Sequence, residues 1–177
     1  SIANIRQVRD VCRRHGVPMF LPALNDSSIG IGLTEHHHRR VVANEPGVVI
    51  SSIQDNYELT QIVARSPATA AFFVAGGVPK NYINDAVVSS YVLGQPDHGH
   101  RYALQIVTDV PHYGGASGSS LDEAKSWGKL ASDADQVTVH VDATIALPLL
   151  ASALVRGAAD RAVRRTRPQF EFHGREI

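Results

Sequence analysis

Four short, nearly continuous apolar runs constrain this chain most: Val17 to Leu21, Thr69 to Ala75, Tyr102 to Thr108 and Val137 to Val141. Strands that are apolar at successive positions, rather than at alternate ones, belong to sheets buried on both faces. The segments between them have helical character. Ile5, Val8 and Val11/Cys12 share one face of a helix over Ile2 to Arg14, and Gly16 stands where that helix should stop. Further helices are expected over Ile53 to Arg65, from Pro79 to about Leu93, over Leu121 to Lys129 and over the strongly apolar Ala143 to Arg156. The alternation predicts an α/β fold, with a parallel sheet and helices on both faces. Ligands of such folds sit beyond the carboxyl ends of the strands. Three polar loops meet that description, Asn25 to Gly32, Gly76 to Asn84 and Thr108 to Ser120, and so does the junction Asp142-Ala143-Thr144.

The length of 177 residues suits one domain or a large piece of one. Lys plus Arg equals Asp plus Glu at 17 each, which removes the broad electrostatic argument for nucleic-acid binding. A single cysteine, Cys12, excludes an intrachain disulfide framework and a multi-cysteine zinc site, and is expected in the core. No apolar run reaches the roughly 18 residues that span a bilayer, so no membrane partner is expected. The first residues carry no apolar signal core, and a cytoplasmic location is the expectation. The chain starts at Ser1 rather than Met, as a processed product or a fragment would.

Several motifs have more than one reading. Gly114-Gly115-Ala116-Ser117-Gly118 could let backbone amides approach a phosphate, or could simply be a flexible connection. It does not fit the dinucleotide fingerprint, because no Gly-x-Gly-x-x-Gly opens a helix after the first strand. Glu35-His36-His37-His38 invites a metal, but adjacent histidines point in different directions, so a solvated loop is favoured and no metal is expected. The same reading applies to His98-x-His100. Asp122 to Lys129 gathers the only tryptophan, two lysines and two acids just after the glycine loop. A lysine there can attack carbonyls or imines if its charge is suppressed, and Trp127 and Glu123 could receive a cationic substrate. Chemistry alone favours a salt-bridged surface helix with a packed Trp.

The same segment carries a resemblance. Ser126-Trp127-Gly128-Lys129, preceded by Asp122-Glu123-Ala124, resembles the active-site segment of deoxyhypusine synthases. Phe20-Leu21-Pro22-Ala23-Leu24-Asn25-Asp26 resembles that family's proline- and aspartate-containing loop. Gly76-Gly77-Val78-Pro79-Lys80 resembles its glycine turn and lysine, and Asp142-Ala143-Thr144 with Leu147-Pro148-Leu149-Leu150 resembles its last strand-to-helix junction. The pieces fall in the family's order over about residues 1–155, and an arginine-rich tail follows over 156–177.

The resemblance implies a Rossmann-like fold, present as a C-terminal half, and an NAD-dependent aminoalkyl transferase. It implies that an amine loses hydride to NAD, that a lysine captures the imine, and that the alkyl group passes to an acceptor amine. By the match Lys129 is the catalytic lysine, Glu123, Trp127 and Gly114 are substrate-side, and Asp26, Gly76, Gly77, Thr108, Asp142 and Ala143 are cofactor-side. The implied partners are an amine substrate, the N-terminal half of the enzyme in the same or a separate chain, and further copies in a homotetramer or hetero-oligomer. The chain departs from the family pattern at Ile31, where a second acid would stand, and at Asn81, where a histidine would. It departs again at Tyr113 and Ala116, where acids would stand. These departures resemble the bacterial deoxyhypusine synthase-like branch. A homospermidine synthase-like enzyme, a non-catalytic partner subunit and an amine-binding domain are the alternative readings.

Overall fold

The structure is a computed structural model and describes residues 2–96, 99–157 and 168–171. Its elements are α1 (Ile2–His15), α2 (Ser28–Val42), α3 (Ser52–Arg65), β1 (Ala70–Val74), α4 (Val78–Val92), β2 (His100–Val107), α5 (Leu121–Ser126), β3 (Leu130–His140) and α6 (Ala143–Gly157). The three strands form one parallel sheet in the order β1-β2-β3. This is the expected Rossmann-like α/β arrangement. Phe73 lies beside Gln105, and Ile106 beside Val139.

Alternate residues of each strand meet different surroundings. Ala71 and Phe73 of β1 and Ala103 of β2 pack with Leu121 and Ala124 of α5 and with Leu130. The alanines let helix and sheet approach closely, and full burial of Phe73 or Leu130 contributes about 1.5–3 kcal/mol each. A second cluster, Val63, Ala86 and Val87, joins α3 to α4. The opposite face of the sheet carries Phe72, Val74, Tyr102, Val137 and Val139, all exposed. The apolar helix α6 likewise exposes Ile145, Leu149, Leu154 and Val155. Among the described residues no helix is long and apolar enough to cross a membrane.

Four expectations are corrected. Val17 to Leu21 is not a strand. Pro18 and Pro22 remove backbone donors there, and the run pairs with no strand. Where loops were expected over Asn25 to Gly32 and Glu35 to His38, residues 28–42 form α2, whose Ser27 Oγ caps the helix by accepting from the Gly30 N–H at 3.1 Å. The glycines that suggested a loop have a packing reason at Gly30, where a Cβ would lie 2.5 Å from the Leu24 carbonyl oxygen. His36, His37 and His38 are therefore helical, and no His/Cys/Asp/Glu group among the described residues is arranged to hold a metal. His100 is a buried β2 residue rather than part of a solvated loop, its Nδ1 2.7 Å from Thr69 Oγ1. His98 lies outside the described residues. Cys12 is half-buried on α1 and belongs to neither apolar cluster.

The expected fourth strand is thus absent among the described residues. Most of the arginine-rich tail also lies outside them. Pro168, Phe170 and Glu171 line a cleft with Gln61 and Arg65 of α3.

Candidate functional site

The site grows from two turns pressed together. After β1, Gly76 comes so close to the loop following β2 that a Cβ on it would lie 2.7 Å from Ala116 Cα. Gly77, with φ at 82°, turns the chain into α4. The Gly77 N–H donates to Ser117 Oγ, and that hydroxyl donates to the Gly77 carbonyl at 2.9 Å. Ala116 and Ser117 themselves hold positive φ values of 51° and 66°, strain that the surrounding contacts sustain.

Lys80, one turn into α4, locks the junction. It is 2% exposed, and its Nζ donates to the carbonyl oxygens of Ala116 at 3.0 Å and Ser119 at 2.6 Å. Burial lowers its pKa, Glu123 works against that shift, and Lys129 adds to it. Lys80, Glu123 and Lys129 therefore share one electrostatic neighbourhood.

Lys129 emerges from the end of α5 through a defined cap. The Lys129 N–H donates to the Ala124 carbonyl at 3.0 Å, and the Gly128 N–H to Lys125 at 3.0 Å, with Gly128 at φ 71°. This is a Schellman motif, and its left-handed position explains the glycine of Ser-Trp-Gly-Lys. The Lys129 carbonyl accepts from the His100 N–H at 3.0 Å, fixing it at the start of β2. Its Nζ reaches Asp85 Oδ1 of α4 at 2.9 Å. Trp127 is 69% exposed at the helix end, and Glu123 is exposed in the first turn.

The remaining sequence-expected residues divide by position. Gly76 and Gly77, Thr108, and Asp142 with Ala143 follow the carboxyl ends of β1, β2 and β3 respectively. Asp142 Oδ1 accepts from the Thr144 N–H at 2.8 Å and from Thr144 Oγ1 at 2.6 Å, which holds its carboxyl below the usual range and caps α6. Gly114 sits at φ 80° in the loop after β2. A cleft of about 380 Å³ beside this edge is lined by Asp109, Asp122, Gln136, Thr138 and His140, among others. Asp26 lines a different cleft, with His37 and Asp55, and none of the other expected residues joins it there.

Sequence reasoning missed Asp85 as the partner of Lys129, and it missed the burial of Lys80. The donor set fits part of a dinucleotide site. It offers an exposed hydroxyl at Thr108, an ionised Asp142 and glycine turns at neighbouring strand ends. Carboxylates in such places accept hydrogen bonds from ribose hydroxyls.

A deoxyhypusine synthase family model matches residues 2–154. The chain is 50% identical over 163 residues to a probable deoxyhypusine synthase 2 of Methanosarcina mazei, covering 92% of this chain and 45% of the relative. It is 47% identical to a probable deoxyhypusine synthase 2 of Archaeoglobus fulgidus, over 78% of this chain and 44% of that protein. It is 41% identical to a deoxyhypusine synthase-like protein of Caulobacter vibrioides, over 77% of this chain and 37% of that protein. The chain thus spans less than half the length of these relatives. A family match over residues 2–154, with relatives 41–50% identical, makes the chain a member of the deoxyhypusine synthase family.

Proposed function

We propose that this chain is part of an NAD-dependent aminoalkyl transferase acting on a polyamine or related amine. The observation that carries the reading is Lys129, held on a glycine turn with its Nζ beside Asp85 and with exposed Trp127 and Glu123 on the same short helix. As a free amine, Lys129 attacks the electrophilic carbon of an imine derived from the amine substrate, the original nitrogen leaves as a free amine, and the lysine holds the alkyl group until an acceptor amine takes it. Glu123 offers the substrate a counter-charge, and Trp127 an aromatic face worth roughly 0.5–2 kcal/mol to a cation. Gly76, Gly77, Thr108, Asp142 and Ala143 hold the dinucleotide, whose chemistry when bound is to accept a hydride and return it. Gly114 shapes the loop between the two.

The exposed sheet face, with Phe72, Tyr102 and Val137, and the exposed face of α6 are apolar surfaces of a kind that a partner covers. We read the cover as the remaining half of the enzyme, in the same or a separate polypeptide, within a homotetramer or hetero-oligomer.

Borohydride trapping tests the reading. The assembled enzyme, given NAD and candidate amines, should yield an adduct that peptide mapping assigns to Lys129. Lys129→Ala and Lys129→Arg should both abolish it, because a guanidinium stays protonated and is no nucleophile. Normal turnover by Lys129→Ala would sink the assignment.

A further inference from the structure

We propose that Asp85 is the positioning residue that holds Lys129 and takes its proton when the lysine becomes a nucleophile. The proposal rests on the reading of Lys129 given above. Asp85 Oδ1 lies 2.9 Å from Lys129 Nζ, within direct proton-transfer reach. The two side chains differ in exposure, 23% for Lys129 and 56% for Asp85. A sheltered amine beside a solvated carboxylate has a short route for its proton to water. Two other charged groups lie in the same neighbourhood. Lys80, on the same helix α4, is itself cationic, buried and committed to the carbonyls of Ala116 and Ser119. Glu123, on α5, acts electrostatically on Lys80.

The step balances without any further reactant. An N–H bond of the Lys129 ammonium breaks and an O–H bond forms on Asp85, leaving the electron pair on Nζ. Asp85 then gives the proton to water, and the lysine lone pair forms the bond to the imine carbon while the C=N π pair moves to the imine nitrogen, which takes a proton from water and leaves as the free amine when the adduct collapses to the lysine imine.

Two measurements on the assembled enzyme separate this role from a merely structural one. The first is the rate at which a small acylating reagent modifies Lys129 at fixed pH, with Lys125 as the internal reference. The second is the rate of the borohydride-trapped adduct with amine and NAD. Asp85→Asn removes the charge at a solvated position and should leave the fold intact. It should raise acylation of Lys129 relative to Lys125 by up to about fivefold, because Nζ loses the ion pair that engages it. It should lower adduct formation tenfold or more, as loss of a proton acceptor does. Asp85→Glu, which keeps the carboxylate, should restore both toward the unmodified enzyme. Unchanged acylation, or acylation and adduct formation falling together, would overturn the proposal. Absence of any adduct in the unmodified enzyme overturns the nucleophile reading instead, and the acylation ratio still reports whether Asp85 governs the charge of Lys129.

Discussion

Lys80 Nζ donates to the Ser119 carbonyl at 2.6 Å across 39 residues of sequence, tying the first turn of α4 to the loop that follows β2. A buried ammonium satisfied by carbonyl groups is a structural clamp with a large desolvation cost, tolerated because the loop would otherwise be free. Lys80→Met keeps most of the stem and removes the charged head. The Ala116 and Ser119 carbonyls then lose a charge-assisted partner, which should cost about 2–4 kcal/mol in denaturant unfolding. Because the same loop abuts Gly76 and Gly77, affinity for NAD should fall as well. A variant of unchanged stability and unchanged NAD affinity would refute the clamp.

Gly128 is the second fixed point. Its φ of 71° belongs to the left-handed region, and the cap it forms delivers Lys129 to Asp85. Gly128→Ala should destabilise the protein by about 1–2 kcal/mol. It should also reduce borohydride trapping more than it reduces NAD binding, since the strand-end residues do not depend on this turn. Equal losses in both measurements would mean that the turn serves stability alone.

A buried histidine sets a pH limit. Burial lowers the His100 pKa from the ordinary imidazole value, opposed by a contact with the Ile83 carbonyl. A depressed folded-state pKa means that the unfolded chain takes up the proton first as pH falls. The contribution of His100 is therefore complete above about pH 6.5 and is lost as pH drops through the folded value. Denaturant midpoints of the assembled protein between pH 5 and 8 should show this acid loss. The difference between unmodified protein and His100→Gln should shrink toward pH 5, and a difference independent of pH would count against it.

The legible and illegible parts of the chain differ for physical reasons. The runs containing Phe73 and Ile106 were readable as strands because both faces of the sheet are apolar, which leaves no alternation to confuse with a helix. Pro79 after Gly77 marked the start of α4 by its fixed φ and missing donor. Gly30 misled, since a glycine needed for close packing inside a helix has the same letter as one needed for a turn. The short run at Val17 misled because an apolar composition does not supply a neighbouring strand. In the site, Lys129 was legible only through the resemblance carried by Ser126-Trp127-Gly128-Lys129, and the turn at Gly128 was missed because the helix was expected to run on to Lys129, whereas it ends at Ser126. Asp85 was not, because its meaning comes from how α4 packs beside α5, and no local spacing encodes that.

Under the proposed function, the choice of amine follows from which charges the loop lacks. Ala116 is buried and gives its carbonyl to Lys80, so this position offers no carboxylate to a second ammonium. Asn81 and Ile31 are neutral and exposed, on α4 and α2. A buried ammonium without a partner costs several kcal/mol, on the order of a thousandfold in binding. Glu123 and Trp127 can still hold one cationic group. A shorter amine, or one ending in a planar guanidinium that stacks on Trp127, should therefore be the better substrate. NADH formation by the assembled enzyme with spermidine, putrescine and agmatine measures the preference. We expect putrescine or agmatine to exceed spermidine at least tenfold in kcat/KM. Strong preference for spermidine, with efficient transfer to a protein lysine, would show that the missing acids are replaced from elsewhere in the assembly.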